Sequence, residues 1–418
     1  MKKIICSLFL SLSLQLIAQD RIEFSRQCEK GRSITIAAVG DILLHTALQH
    51  KSSLEGGFSS LWENLIPAIS NADVAYANLE GPTSINNPVV GPNLENPSPI
   101  WDAQCFKSEF KNALKKKDEQ GKVSRSWPDG CYYSSYPLFN YHPSLNQDLK
   151  DSGFDIVSTA NNHSLDRRAQ GIDKTITALL DADLDFVGTK SIDKLKGQWI
   201  KRQNIKGFKL SWVSCTYGTN GLPDTEGQVL NCYSRLGQGI ISDLIAKEVS
   251  EGRFVIMLPH WGDEYNPARS LELNINPNER QARVAQSWVD KGVKLILGNH
   301  SHAFKKMEKM YSASGDEALV VYSMGNFVSN QGEAGQRATG IVYVGLTENA
   351  IGDIFVNGVK LRPAYMANRY SRGENLELIP LKRNQSRAEM QYLKSVINHE
   401  HFVFEDTVIT NDLCILEK

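Results

Sequence analysis

The stretch ITIAAVGD, residues 34–41, sets the architecture of this chain of 418 residues. Its apolar and β-branched residues predict a buried strand from Ile34 to Val39, and Gly40 and Asp41 end that strand with a glycine turn and a carboxylate. The same theme recurs along the chain, because further β-rich runs end in polar or glycine residues. These runs span residues 74–77, 154–158, 209–214, 254–258, 293–297 and 319–322.

Segments with apolar residues at helical spacing lie between these runs. In the last segment Ala282, Ala285 and Trp288 share one face, while Glu279 and Arg280 can face water. The segments span residues 60–70, 143–151, 171–182, 236–249 and 278–291. The alternation of strands and helices predicts an α/β layered fold with its strands buried under helices.

Composition narrows the class of protein. Apolar residues make up 41% of the chain, and 46 Lys and Arg residues nearly balance 47 Asp and Glu residues, which gives a net charge of -1. Such a chain can bury a core, and this excludes an intrinsically disordered protein. It also lacks the basic footprint of a general nucleic-acid binder, so we expect no nucleic-acid partner.

The N-terminus is typical of an export signal. The charged start MKK precedes an apolar core from Ile4 to Leu16 and a cleavage site at Ala18. The alternative is an N-terminal membrane anchor, but the apolar core is shorter than the ~20 residues that span a bilayer comfortably. We therefore expect a signal peptide over residues 1–18, a periplasmic or extracellular protein, and no stable membrane span after cleavage.

The cysteines fit an oxidising compartment. Six of them remain once Cys6 leaves with the signal, and an even number in an exported chain favours disulfides, with buried free thiols as the alternative. The expected pairs are Cys105–Cys131, Cys215–Cys232 and Cys28–Cys414.

The chain divides into one main domain and two less regular regions. The main domain spans residues 33–345, and residues 86–141 within it, rich in Pro, Trp and Tyr, form a predicted long insertion. The aromatic residues of this insertion either line a substrate groove or form a local mini-core. Residues 346–418 are expected to form a C-terminal extension that completes the core or packs on it.

Five of the nine histidines come just after predicted strands. In open α/β sheets the active crevice lies beyond the carboxyl ends of the strands, so residues far apart in sequence converge there. His300 and His302 alternate by two, and on an extended loop this spacing points both rings to one side, where they could hold one ion or straddle two. The five histidines are His45, His163, His260, His300 and His302.

Carboxylate and amide side chains follow strands in the same way. Asp41, Glu80 and Asn162 supply oxygen atoms that, together with imidazole, suit hard or borderline divalent metals. A bridging carboxylate, Asp41 or Glu80, would hold two ions ~3.5–4 Å apart, the separation of two-metal hydrolytic sites. His163 could then protonate the leaving group of a substrate, with Asp166 orienting its ring.

Each of these residues alone has a simpler interpretation. Asp41 and Asp166 could cap helices, Asn162 could be a turn residue, and Glu80 could be a surface charge. His45 falls where a helix can start, and a structural role explains it equally well. The joint pattern favours a metal site, because capping alone does not explain polar or metal-compatible residues at so many strand ends.

Six motifs, in order along the chain, carry a family resemblance. They are Gly40-Asp41 with His45, Asn78-Leu79-Glu80, Asn161-Asn162-His163 with Asp166, His260-Trp261-Gly262 with Glu264-Tyr265, Gly298-x-His300-x-His302, and Tyr322-Ser323-Met324-Gly325-Asn326-Phe327. The chain resembles the CapA/PgsA capsule-synthesis proteins, the bacterial poly-γ-glutamate capsule family, which is related to the calcineurin-like metallophosphoesterases. The resemblance covers most of the chain.

This resemblance implies a four-layered α/β/β/α sandwich with a dinuclear metal centre. The metal ligands that it implies are Asp41, Glu80 in the place of the usual bridging aspartate, Asn162, His260, His300 and His302, with His45 as a further candidate. His163 takes the place of the catalytic imidazole, with Asp166 beside it. The expected cofactor is a divalent metal, two ions of Mn, Fe or Zn, all of which suit mixed nitrogen and oxygen ligands.

The resemblance also implies a function. We expect an exported, metal-dependent hydrolase that acts on a phosphoester or on an amide or γ-glutamyl bond in an anionic polymer at the cell surface. Its role would lie in the synthesis or processing of capsule or poly-γ-glutamate, with the capsule-synthesis machinery as a partner. The alternative is a non-catalytic extracytoplasmic component of polymer assembly or export that retains a metal or ligand site.

Overall fold

The computed structural model describes residues 21–85, 87, 133–264 and 275–404. The predicted signal peptide, most of the predicted insertion, and the cysteines Cys105, Cys131 and Cys414 lie outside these residues. Within this part of the chain, no helix combines the length and the apolar character that a membrane span requires.

Two β-sheets form the centre of the fold. In chain order the strands are β1 (Arg32–Ile42), β2 (Val74–Leu79), β3 (Ile156–Ser158), β4 (Asp185–Val187), β5 (Ile200–Ile205), β6 (Phe208–Thr216), β7 (Phe254–His260), β8 (Leu295–Leu297), β9 (Met307–Tyr311), β10 (Glu317–Val321), β11 (Asn326–Val328), β12 (Ala338–Glu348), β13 (Ile354–Ala367) and β14 (Glu377–Pro380). The first sheet has the order β14-β13-β12-β1-β2-β3-β4, with β11 paired to β1, and the second has the order β5-β6-β7-β8-β10-β9. Strands β1 to β4 run parallel, as do β6, β7, β8 and β10, so the carboxyl ends within each set meet at one edge.

Helices follow most of the parallel strands. They are α1 (Thr46–Leu54), α2 (Ile66–Ser70), α3 (Ser144–Asp151), α4 (Arg168–Asp181), α5 (Arg235–Ser250), α6 (Glu279–Val289), α7 (Ala334–Arg337) and α8 (Ala388–Val396). The continuous helix expected over residues 60–70 is wrong, because 3₁₀ turns at Phe58–Leu61 and Glu63–Leu65 precede a short α2. Pro67 lies in the first turn of α2, where its missing N–H costs no helical hydrogen bond and its fixed φ suits a helix start.

Three hydrophobic clusters define the layers. Alternate residues of β1 show the arrangement: Ile34 and Ile36 pack between the two sheets, whereas Ala37 and Val39 face helices α1 to α4. On the outer side of the second sheet, Trp288 of α6 and its neighbours on α5 cover the remaining faces of β6 to β8. The chain therefore forms the predicted four-layered α/β/β/α sandwich.

Gly40 lets the centre of the first sheet close around Asp41. A Cβ atom at this position would collide with the carbonyl oxygen of Gly325, which accepts a hydrogen bond from the Asp41 amide at 2.9 Å. Asp41 then lies in register with Asn78 of β2 on one side and with Asn326 of β11 on the other. The glycine in ITIAAVGD is thus required by close backbone approach, and it brings three polar side chains side by side.

Disulfides connect parts of this fold. The predicted Cys215–Cys232 bond is confirmed, and it closes a segment with a sequence separation of 17 at the carboxyl end of β6. Cys28 is also disulfide-bonded. Its predicted partner Cys414 lies outside the described residues, so that pairing stays a prediction.

Candidate metal centre

Two groups of buried side chains meet where the carboxyl ends of the two sheets face each other. Glu80, His260 and His300 form one group, and Asp41, Glu80 and His302 form the other. Within each group the potential ligand atoms lie within 4.8 Å of one another. Glu80 belongs to both groups, so its carboxylate is the candidate for a bridging ligand.

The two carboxylate oxygens of Glu80 face different imidazoles. Glu80 Oε1 lies 3.5 Å from His260 Nε2, and Glu80 Oε2 lies 3.8 Å from His302 Nδ1. His302 Nδ1 also lies 3.3 Å from Asp41 Oδ2. The shared carboxylate therefore divides its two oxygens between the two groups.

The donor set fits divalent cations. Among the described residues, neither carboxylate oxygen of Glu80 has a hydrogen-bond partner, and neither does His300 Nδ1, although all three atoms are buried. A buried polar atom without a hydrogen bond is costly, and such atoms commonly pair with cations or coordinate metals. Carboxylate and imidazole together suit Mn, Fe or Zn, so the residues present match the predicted cofactor.

The charges of the centre point to the same conclusion. Burial opposes protonation of His302, but the Glu80 charge and the hydrogen bond to Asp41 outweigh it and raise the pKa of His302 to about 10. Burial would raise the pKa of Glu80, yet the charges of His302 and His260 lower it below its usual range. Positive charge is therefore favoured between the two carboxylates. A metal cation there would displace this proton.

The spacing of His300 and His302 suits an extended loop, but the backbone at both residues is not extended. His300 has a φ of 102° and His302 a φ of 55°, conformations that cost side-chain-bearing residues of order 1–3 kcal/mol each and that cluster at functional sites. The two ring centroids lie 6.1 Å apart. Each imidazole thus reaches a different group, and the pair straddles two candidate ion positions.

Asn162 lies against the first group. Its Oδ1 atom is 2.8 Å from His260 Nε2, and its Nδ2 atom donates a hydrogen bond of 3.1 Å to Asn220 Oδ1. The bond to Asn220 fixes which end of the amide faces His260. Asn220 was missed at the level of the sequence, because it lies far along the chain in the loop that follows β6.

Two further asparagines support the ligands. Asn78 Nδ2 donates a 2.8 Å hydrogen bond to Asp41 Oδ1 and lies 3.2 Å from His260 Nδ1. Asn326 Oδ1 lies 3.1 Å from His302 Nδ1. Both asparagines belong to the family motifs, but only the strand register shows that they flank Asp41.

His45 belongs to neither ligand group, although it lines the same cleft as His302. It occupies the position before the first residue of α1, its Nδ1 is 3.2 Å from the Leu43 carbonyl oxygen, and the amide of Asn330 donates to the same nitrogen. Burial lowers the pKa of His45 to about 4, so the ring is neutral at physiological pH. These contacts agree with the structural alternative for His45.

His163 and Asp166 form a buried pair at the edge of the centre. His163 Nδ1 lies 2.7 Å from Asp166 Oδ2, and this carboxylate also accepts a 2.6 Å hydrogen bond from the amide of Phe139. The Phe139 ring packs edge-on against the His163 ring, with centroids 4.8 Å apart. Burial opposes a charge on His163, but Asp166 outweighs it and raises the pKa of the imidazole.

A cleft of about 480 Å³ opens beside these residues. Asn162, His163 and His302 line it from the side of the centre, while residues 136–139 and Leu222 form an apolar wall. Glu264 contributes a carboxylate. Among the described residues that line the cleft there is no Lys or Arg, so any positive charge that they bring to this space lies on the imidazoles.

Two nucleotidases are among the solved structures to which the fold of this chain is similar. NAD nucleotidase of Haemophilus influenzae is 11% identical, with a TM-score of 0.44 over 92% of this chain and 66% of that one. A putative 5'-nucleotidase from Staphylococcus aureus is also 11% identical, with a TM-score of 0.41 over 87% of this chain and 57% of that one.

Curated relatives and a family model agree with the motifs. The capsule biosynthesis protein CapA of Bacillus anthracis is 24% identical over 334 residues, which cover 77% of this chain and 66% of the relative. The PGA biosynthesis protein CapA of Bacillus subtilis (strain 168) is 28% identical over 223 residues, which cover 52% of this chain and 53% of the relative. The chain thus spans less than two thirds of the length of either relative. The model of the bacterial capsule synthesis protein PGA_cap matches residues 35–106 and 126–331, and the chain belongs to this family.

Proposed function

We propose that the chain is an exported, metal-dependent hydrolase that cleaves a phosphoester or a γ-glutamyl amide bond of a cell-surface anionic polymer. The observation that carries this proposal is the carboxylate of Glu80, which is shared by two ligand groups and whose two buried oxygens lack hydrogen bonds among the described residues. Such an arrangement suits two cations beside a cleft. Membership in a capsule synthesis family supports the polymer context.

The ligand groups define what the chain would hold. Asp41, Glu80 and His302 would bind one ion, and Glu80, His260 and His300 the other, with Asn162 beside His260. When bound, divalent ions supply Lewis-acid charge and lower the pKa of water, so that hydroxide is available near neutral pH. Asn78 and Asn326 keep the ligands Asp41 and His302 oriented.

His163 supplies the proton for the leaving group. Its Nδ1–H donates to Asp166, which leaves Nε2 as the ring atom that can give a proton to the cleft. Asp166 also raises the pKa of the imidazole, so the acid form is populated near neutral pH. General acid catalysis of this kind contributes roughly 10²–10⁴-fold to a rate.

Of the two bonds, the phosphoester is better supported by the cleft. Its described lining holds no Lys or Arg and includes the carboxylate of Glu264. A phosphoester in a polymer whose charge lies on its phosphates would bring its negative oxygens to the metal centre itself, whereas poly-γ-glutamate, with a carboxylate on every unit, would need further cations along the cleft. We therefore place the phosphoester first.

Metal analysis and a substrate screen test this proposal. Full-length protein purified without chelator should contain up to two Mn, Fe or Zn ions per chain by mass spectrometry. Phosphomonoesters, phosphodiesters and γ-glutamyl peptides are then assayed with added Mn or Zn, and turnover should require metal and fall sharply in His163→Ala. Metal binding without turnover of any substrate would support the non-catalytic assembly component instead, and absence of metal would overturn the proposed hydrolase.

Export has its own test. N-terminal sequencing of protein recovered from outside the cytoplasm should begin after Ala18. A chain that keeps residues 1–18 and sediments with membranes would support the anchored alternative.

A further inference from the structure

A rigid hairpin carries an exposed aromatic ring at the mouth of the cleft. Residues 134–140, here termed the lip hairpin, are closed by two backbone hydrogen bonds between Ser134 and Asn140, of 3.0 and 3.1 Å. Tyr136 near its tip is 75% exposed, and it lines the cleft together with Pro137 and Leu138. A single exposed tyrosine is common on a flexible loop. Here, however, the loop that carries Tyr136 is held by hydrogen bonds.

Buried polar side chains hold the lip hairpin in place. The guanidinium of Arg167, only 1% exposed, donates hydrogen bonds to Ser134 Oγ at 2.5 Å and to the Leu138 carbonyl oxygen at 3.3 Å. The fully buried amide of Gln49 donates to the Ser134 carbonyl oxygen at 3.0 Å. A hairpin anchored by buried donors holds the backbone that carries Tyr136, so little backbone entropy is lost when a ligand binds there.

The lip hairpin lies on the leaving-group side of the centre. Its residue Phe139 packs edge-on against His163, and the amide of Phe139 donates to Asp166, the partner of that imidazole. His163 is the residue that would protonate the leaving group, so the departing part of the substrate must lie next to it. The part of the substrate closest to Tyr136 is therefore the leaving group.

The geometry points to a leaving-group subsite on the lip hairpin that takes a ring. This inference rests on the proposed hydrolase and names its substrate class: a phosphoester whose leaving group carries a ring, aromatic or sugar, which packs against Tyr136 with Leu138 beside it. Aromatic faces bind planar and apolar ring surfaces without a charge, in agreement with a cleft whose described lining holds no Lys or Arg. Leu222 lines the same cleft and adds apolar surface.

Equilibrium binding tests this subsite without requiring turnover. Calorimetry on the metal-loaded full chain would measure Kd for phenyl phosphate, glucose 1-phosphate and glycerol 1-phosphate, of which only the last lacks a ring. We expect the wild type to prefer at least one ringed ligand, and Tyr136→Ala to lower that preference about three- to tenfold, the range typical of a single aromatic contact. The phenyl and glucose arms show whether the ring is aromatic or a sugar.

Two variants make the result specific. Tyr136→Phe keeps the ring and should restore the preference, whereas Tyr311→Ala removes a comparably exposed tyrosine from β9 and should change nothing. An unchanged preference in Tyr136→Ala would overturn the subsite, even in a protein that hydrolyses phosphoesters. A chain that binds metal and shows the ring preference but hydrolyses nothing would keep the subsite and refute the proposed hydrolase.

Discussion

Replacing Glu80 with Gln preserves the shape of the side chain and removes the charge that both candidate ion positions share. Because Glu80 belongs to both ligand groups, Glu80→Gln should abolish binding of both ions and not of one alone. An ion present at a hundred times its dissociation constant stabilises the folded state by about 2.7 kcal/mol. With an unfolding entropy of about 2.1 cal/mol/K per residue, this corresponds to roughly 3 °C in Tm for each ion in a chain of 418 residues.

Thermal unfolding with and without chelator measures this effect. The wild type should lose roughly 6 °C on metal removal, and Glu80→Gln should lose almost nothing, because it has no ion to lose. Asp166→Asn is the matched control: it also neutralises a buried carboxylate near the cleft, but one outside both ligand groups, so its metal content and its metal-dependent shift in Tm should match the wild type. A Glu80→Gln protein that still binds two ions per chain would refute the bridging role.

Three further sets of substitutions test the candidate metal ligands, the proposed general acid and the disulfide in turn. His300→Ala and His302→Ala should each remove one ion, and the double variant should remove both, as measured by the metal content per chain. Loss of both ions in either single variant would contradict the division into two groups. His163→Gln should keep its metal and lower kcat by roughly 10²–10⁴-fold, whereas loss of metal would make the imidazole a ligand. Replacing Cys215 and Cys232 with Ala should cost about 3 kcal/mol in urea unfolding, as expected for a closed loop of similar length, and an unchanged midpoint would contradict this.

The layered fold was accessible from the sequence because its parallel strands are buried on both faces. Such strands read as short apolar runs, and the run predicted at residues 74–77 lies inside β2. The edge strand β5 was missed, since its half-exposed sequence IKRQNI has too few apolar residues to stand out. A hairpin signal was nevertheless present: Lys206 and Gly207, both with positive φ, form the two-residue connection to β6.

The candidate site was accessible because topology gathers the residues that follow parallel strands. That rule brought Asp41 and Glu80 of one sheet to His260 of the other, although their roles as ligands stay predictions. It could not identify Asn78, whose position beside Asp41 depends on strand register. Register is set by pairing and by the packing of whole faces, which a single sequence does not display.

His45 shows why spacing along the chain is a weaker guide. Strand β1 continues past Asp41 to Ile42, which pairs with Val328 and Leu79. The strand ends at Ile42, and His45, four positions beyond Asp41, directly precedes α1, where it lines the cleft with His302 but belongs to neither ligand group. Spacing alone therefore does not assign a role to His45, and its role as a ligand stays a prediction.

The charge of the centre bears on which bond it would cleave. Asp41 and Glu80 supply two negative charges, while two divalent ions would bring four positive ones, and imidazoles that bind metal are neutral. A buried site with that excess of positive charge stabilises an anion at the reacting group. The phosphate of a monoester provides this anion before the reaction, whereas the neutral carbonyl of a γ-glutamyl amide gains negative charge only as hydroxide attacks it. The same residues that argue for two ions therefore favour a phosphoester, and competitive binding of inorganic phosphate that disappears in Glu80→Gln is the expected signature.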